Sequence, residues 1–193
     1  MIELVFATAN KNKIIEIQQL IPNTISLLSL NDINCLEEIP ETQPTIEGNA
    51  AQKAFYIYNN YHINCFADDT GLEIDALNNK PGVLSARYAG ESKNANDNMD
   101  KVLSEMNGIT NRKARFKTII SLVIDNKEIQ FEGIINGTIL TEKVGSSGFG
   151  YDPIFLPDGF TTSFAEMNIS EKNKISHRAL AVNKLVEYLN RHH

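Results

Sequence analysis

Two long strand-like runs, residues 114–124 and 129–140, are joined by the Asp125-Asn126-Lys127 turn, and this constrains the fold more than any other feature of the chain. A break that short returns the second run antiparallel to the first, as a hairpin. The front of the chain demands something different. Residues 2–8 read as a buried strand and 12–21 as a helix with Ile14, Ile17, Leu20 and Ile21 on one face. Strand, loop and helix in that order feed a parallel sheet, so parallel and antiparallel pieces coexist. The expected class is α/β: a mixed, strongly twisted sheet with flanking helices and loops converging on one cleft.

Further elements follow the same periodicities. Residues 25–30 read as a strand, 37–44 as a polar loop carrying Glu41, and 46–61 as a helix with Ala50, Ala54 and Tyr58 on one stripe. Residues 63–67 and 72–77 look like strands joined by an acidic turn, Asp68-Asp69-Thr70-Gly71, and 78–90 a loop punctuated by Pro81-Gly82. A helix is expected over 96–106. After the glycine-rich stretch 145–150, Ser176 can cap a last helix with Leu185, Val186 and Leu189 inward. Repeats, low-complexity tracts and linkers are missing, which predicts a single domain over 1–193, or two lobes sharing one core.

Charge and cysteine content narrow the partners. A net charge of −6 argues against a nucleic-acid or anionic-membrane surface, so any phosphate-binding charge must be concentrated locally, and the partner should be small. Cys35 and Cys65 sit beside apolar residues without metal-ligand spacing and read as buried free thiols, which fits a reducing cytoplasm. The run 2–7 is short and charged, a core strand rather than a leader or membrane span. His192 and His193 read as a solvated tail.

Several clusters carry chemistry. Thr8-Ala9-Asn10-Lys11-Asn12-Lys13 lies after a buried strand and before a helix, where backbone N–H groups and the helix dipole favour phosphate. Thr8, Asn10 and Lys13 add a hydroxyl, an amide and an ammonium; read alone, the same segment is a capped helix with solvated lysines. Asp68 and Asp69 are consecutive, and successive strand residues face opposite ways, so only one of them is expected to reach a common site. Read alone, they form an ordinary polar turn. Phe149-Gly150-Tyr151-Asp152 joins aromatic faces to glycine freedom, with Phe149 the expected stacking ring for a purine. Lys172, His177 and Arg178 supply donors suited to a base with a six-carbonyl; the bland alternative pairs Lys172 and Arg178 with Glu171 and Glu166 on the surface.

These blocks, together with Pro81-Gly82-Val83-Leu84-Ser85-Ala86-Arg87-Tyr88, occur in one order along nearly the whole chain. The chain thereby resembles the inosine/xanthosine triphosphate pyrophosphatase family. The resemblance implies two lobes around a central active-site groove and hydrolysis of ITP, dITP and XTP to the monophosphate and pyrophosphate. It implies Mg2+ as cofactor, with Glu41 and Asp69 as its ligands and Glu47 as a lesser rival. Asp69 is the general base for water, unless the metal itself activates it, and Asp68 stands behind. The segment 8–13 and Lys53 grip the phosphates, Thr70 stands where serine is frequent, and a homodimer is expected. Ala9 stands where glycine is frequent, which questions the curl of the phosphate loop. Ser85 and Arg87 wall the site or brace it.

Overall fold

A computed structural model describes residues 2–192. Seven strands form one sheet in the order β2-β1-β3-β5-β6-β7, with β4 paired to β3 off that path. They are β1 Ile2–Phe6, β2 Ile25–Leu28, β3 Cys65–Ile74, β4 Lys80–Pro81, β5 Lys113–Ile124, β6 Lys127–Ile139 and β7 Phe155–Pro157. The helices are α1 Lys11–Gln18, α2 Ile46–Tyr61, α3 Ala95–Glu105, α4 Ile169–Ile175 and α5 His177–His192. β1 runs parallel to both β2 and β3, while β3–β4 and β6–β7 are antiparallel. The mixed sheet expected from the sequence is therefore present.

The chain divides into two compact units. One comprises Met1–Asp69, Thr118–Gly133 and Arg178–His193; the other comprises Thr70–Lys117 and Ile134–His177. In the first unit the strand alternation sorts the core into two clusters. Leu4, Phe6, Phe66, Ile120 and Leu122 join Ile17 of α1 and Leu185 and Leu189 of α5. Val5, Ala7, Cys65, Ala67 and Val123 join Ala54 and Ile57 of α2. The second unit holds one cluster built on Leu72, Ile74, Val102, Phe116, Phe155 and Phe164. Each fully buried leucine, isoleucine or phenylalanine contributes about 1.5–3 kcal/mol of transfer free energy, which is why three dense clusters suffice to order loops that are themselves polar.

Two readings of the sequence need correction. Asp68-Asp69-Thr70-Gly71 forms no turn: β3 passes straight through it as a ten-residue strand. Turn-forming composition loses here to continuous ladder pairing and to the buried cations described below. Residues 78–90 are likewise not plain loop, since they contain β4 and a 3-10 turn over Gly82–Arg87. Both cysteines are free and buried, and burial pushes the Cys65 thiol up to about 12. His192 belongs to α5 and stacks on Tyr188, whereas His193 lies outside the described residues. Among the described residues no helix is long and apolar enough to cross a membrane.

The β5–β6 hairpin closes through Asp125 and Asn126, both left-handed, with φ of 50° and 61°. This is the pattern of a primed turn, and Asp and Asn tolerate it because their side chains bond locally. Replacing Asn126 with Val forces a β-branched residue into that region. The expected loss is about 1–2 kcal/mol, read as a lower urea midpoint; an unchanged midpoint contradicts this account of the hairpin.

Candidate active site

The alternation that sorts the core also sorts the two acids. Phe66 enters the α1/α5 cluster and Ala67 the α2 cluster, so Asp68 follows Phe66 to the first face and Asp69 follows Ala67 to the second. Asp68 is completely buried. Its Oδ1 accepts from Lys13 Nζ of α1 at 2.9 Å and its Oδ2 from Arg178 Nε of α5 at 3.1 Å. The Arg178 guanidinium also pairs with Glu16, another buried carboxylate of α1. Burial alone would raise the Asp68 carboxyl, but Lys13, Arg178 and Lys53 hold it far below the usual carboxylate range. Lys13 is lowered by burial, against the pull of Asp68 and with the push of Lys53 and Arg178.

Asp69 meets a different environment. Lys53 of α2 lies 3.8 Å from its Oδ1, pairs with Glu41, and donates to the Asp68 carbonyl at 2.8 Å. Glu41 is carried by a loop fastened onto α2, where Thr42 N–H donates to Gln52 and Gln43 N–H to Asn49. Thr45 caps α2 by accepting from Gly48 N–H, and Glu47 stands in its first turn, where the dipole favours an acid. The second carboxylate oxygen of Asp69 is buried and has no hydrogen-bond partner. Burial pushes the Asp69 carboxyl upward, opposed by Lys53 and Lys13 and reinforced by Glu41 and Asp68. Burial would lower Lys53, but Asp69, Glu41 and Asp68 together raise it.

A divalent cation fits this arrangement. Mg2+ is usually held by one or two carboxylates plus substrate phosphates, not by an all-protein cage. Among the described residues no group of three or more His, Cys, Asp or Glu converges as a metal cage. What stands here is the pair Glu41 and Asp69 about one ammonium, with a buried carboxylate oxygen to spare.

The 8–13 segment is built as a capped loop. Asn10 caps α1, its side chain accepting from Asn12 and Lys13 N–H, and Thr8 accepts from Asn10 N–H. Ala9 and Lys11 keep their N–H groups outside these bonds, and Ala9, Lys11 and Asn12 are exposed. Ala9 is not among the residues with positive φ, so the loop backbone there accommodates alanine without strain.

The second unit gathers the aromatic and cationic residues. Lys172 is buried, and its ammonium meets Asp152 Oδ2 at 2.6 Å and the faces of Phe149 and Phe164 at 5.0 and 5.5 Å. The buried His177 ring stacks on Phe116. Tyr151 OH donates to the Ser85 carbonyl, while Ser85 Oγ accepts from Leu72 N–H and donates to Gly82, so Ser85 braces its segment. Thr70, half-buried, follows Asp69 along β3. The surface pairing of Lys172 and Arg178 is overturned: both are buried on Asp152, Asp68 and Glu16, while Glu171 and Glu166 serve capping boxes. Sequence reasoning missed Glu16. Its spacing of three from Lys13 places both on one side of α1, a signal that a buried cation partner would have explained.

The chain is similar to known proteins over nearly its whole length. A model of the Ham1 family matches residues 4–188. The dITP/XTP pyrophosphatase of Flavobacterium psychrophilum is 56% identical over 186 residues, covering 96% of this chain and 98% of its own. That of Porphyromonas gingivalis is 50% identical over 190 residues, 98% of each chain. Among solved structures, the Ham1 protein of Staphylococcus aureus superposes with a TM-score of 0.90 at 35% identity, and a HAM1 protein of Coxiella burnetii with 0.91 at 34%. Each covers 99% of this chain and 100% of its own.

The adjacent acids should answer oppositely to neutralisation. The folded Asp68 pKa is depressed, so its stabilisation is present above the unfolded value of about 3.9 and is lost as pH falls. The folded Asp69 pKa is raised, so its contribution favours folding at low pH and is lost as pH rises through it. In metal-free buffer at pH 7, Asp68→Asn should cost about 3–5 kcal/mol because it strips buried cations of their partner, whereas Asp69→Asn should raise the thermal midpoint. Thermal melts decide this; equal destabilisation by both substitutions contradicts the assignment of faces.

Proposed function

The chain belongs to the Ham1 family, and from that premise we propose that it hydrolyses non-standard purine nucleoside triphosphates, ITP, dITP and XTP, to the monophosphate and pyrophosphate. The observation that carries the reading is Asp69: a buried carboxylate with one oxygen unspent, its pKa pushed upward, beside an ammonium shared with Glu41. Its relatives from Flavobacterium psychrophilum and Porphyromonas gingivalis are named for this activity on dITP and XTP. Asp69 takes the proton of the attacking water. Lys53 faces the growing charge on the departing phosphates, and the unspent N–H groups of Ala9 and Lys11, with the α1 dipole, hold the triphosphate. Lys13 is oriented by Asp68 and adds its remaining ammonium proton to the same task.

Glu41 and Asp69 are the residues that would hold Mg2+, which when bound neutralises triphosphate charge. Phe149 offers the stacking face for the purine. Lys172, His177 and Arg178 offer donors to its six-carbonyl. Adenine presents a six-amine to these donors and leaves a polar group unmet, at about 1–3 kcal/mol per group, so two mismatches give discrimination of roughly a hundredfold.

A pyrophosphate-release assay across ITP, XTP, GTP and ATP tests the reading. ITP and XTP should exceed ATP in kcat/KM by about two orders of magnitude; equal turnover of ATP would sink it. Asp69→Asn should retain almost no turnover, and excess chelator should abolish it. Lys13→Ala should raise KM, and the gap from wild type should narrow with added salt, because the lost attraction is itself screened; an unchanged KM would remove Lys13 from the phosphate site.

A further inference from the structure

Asp152 does more in the second unit than border the aromatic loop. It is 2% exposed, and its Oδ2 accepts at once from Phe149 N–H at 2.9 Å and Lys172 Nζ at 2.6 Å. The backbone closes the same ring from the other side, with Asp152 N–H donating to the Phe149 carbonyl at 3.3 Å. Phe149 is thus held by both of its backbone polar groups, and Lys172, tied to the same oxygen, lies over the Phe149 ring. Gly148 makes this possible. Its φ is +75°, and a Cβ there would lie 2.1 Å from Asp152 Oδ2, so any other residue drives the loop off the carboxylate. Gly145 anchors the far end, where a Cβ would meet the Ala165 backbone at 2.5 Å while Ser146 and Ser147 N–H donate to Ala165.

We propose that Asp152 is a positioning residue: it locks the Phe149 ring and the Lys172 ammonium into one preformed element, with Gly148 as the gap that admits it. Its role in specificity rests on the function proposed above. Ordering the loop before substrate arrives spares binding the entropy of fixing it. Asp152 therefore acts on the element that would meet the base.

Asp152→Asn and Gly148→Ala test this by separate routes, one removing the charge and the other displacing the loop from an intact carboxylate. Both should raise KM for ITP by roughly tenfold or more, the scale of a hydrogen bond to a charged group, with kcat falling less than KM rises. The ITP-to-ATP ratio of kcat/KM should contract in both. Hydrogen exchange on the ligand-free proteins supplies a readout independent of activity: residues 145–152 should exchange faster in each variant than in wild type. Wild type failing to prefer ITP would defeat the proposed function while leaving the exchange result to judge the positioning. Protection of 145–152 unchanged in both variants, or a loss of kcat equal for ITP and ATP at constant KM, overturns the role given to Asp152.

Discussion

The period of two along β3 is the constraint on which the first unit depends. Because neighbouring strand residues face opposite ways, a pair of adjacent aspartates delivers one carboxylate to the α1/α5 face and one to the α2 face. The first is saturated: Lys13 and Arg178 take both of its oxygens, and Glu16 holds Arg178 from behind. The second keeps an oxygen without a partner. A one-residue slip of β3 would exchange them, placing Asp69 among the cations that saturate Asp68.

The two faces also communicate through the backbone. The carbonyl of Asp68 accepts from Lys13 on one side and Lys53 on the other, so the strand that separates the carboxylates fixes both lysines relative to it. Breaking a buried ion pair by removing one partner costs several kcal/mol, and the Glu16–Arg178–Asp68–Lys13 chain ties α1, β3 and α5 together. Asp69 is held ionisable in a place where burial disfavours its charge, the kind of local cost that marks functional positions.

Much of this was legible in the residues. The helix over 46–61 coincides with its observed bounds, and the hairpin differs only at its margins, because long periodic segments outweigh local exceptions. The opposite orientation of Asp68 and Asp69 followed from strand geometry alone. The turn at Asp68-Asp69-Thr70-Gly71 did not survive, because its composition signals a bend while pairing and buried cations keep it extended. Glu16 was invisible for a related reason: an acid on an apolar helix looks solvated until the arginine that neutralises it, distant in sequence, is known. Asp152 was legible as part of an aromatic loop, but its bond to Lys172 depends on tertiary packing that spacing does not encode.

The asymmetry of the two carboxylates is the central claim, and side-chain carbon-13 NMR titration of metal-free protein measures it most directly. Asp68 should show no titration step down to the pH at which the protein unfolds, while Asp69 should titrate above the ordinary carboxylate range. Midpoints for both near the ordinary aspartate value, or the two behaviours exchanged, would contradict the account.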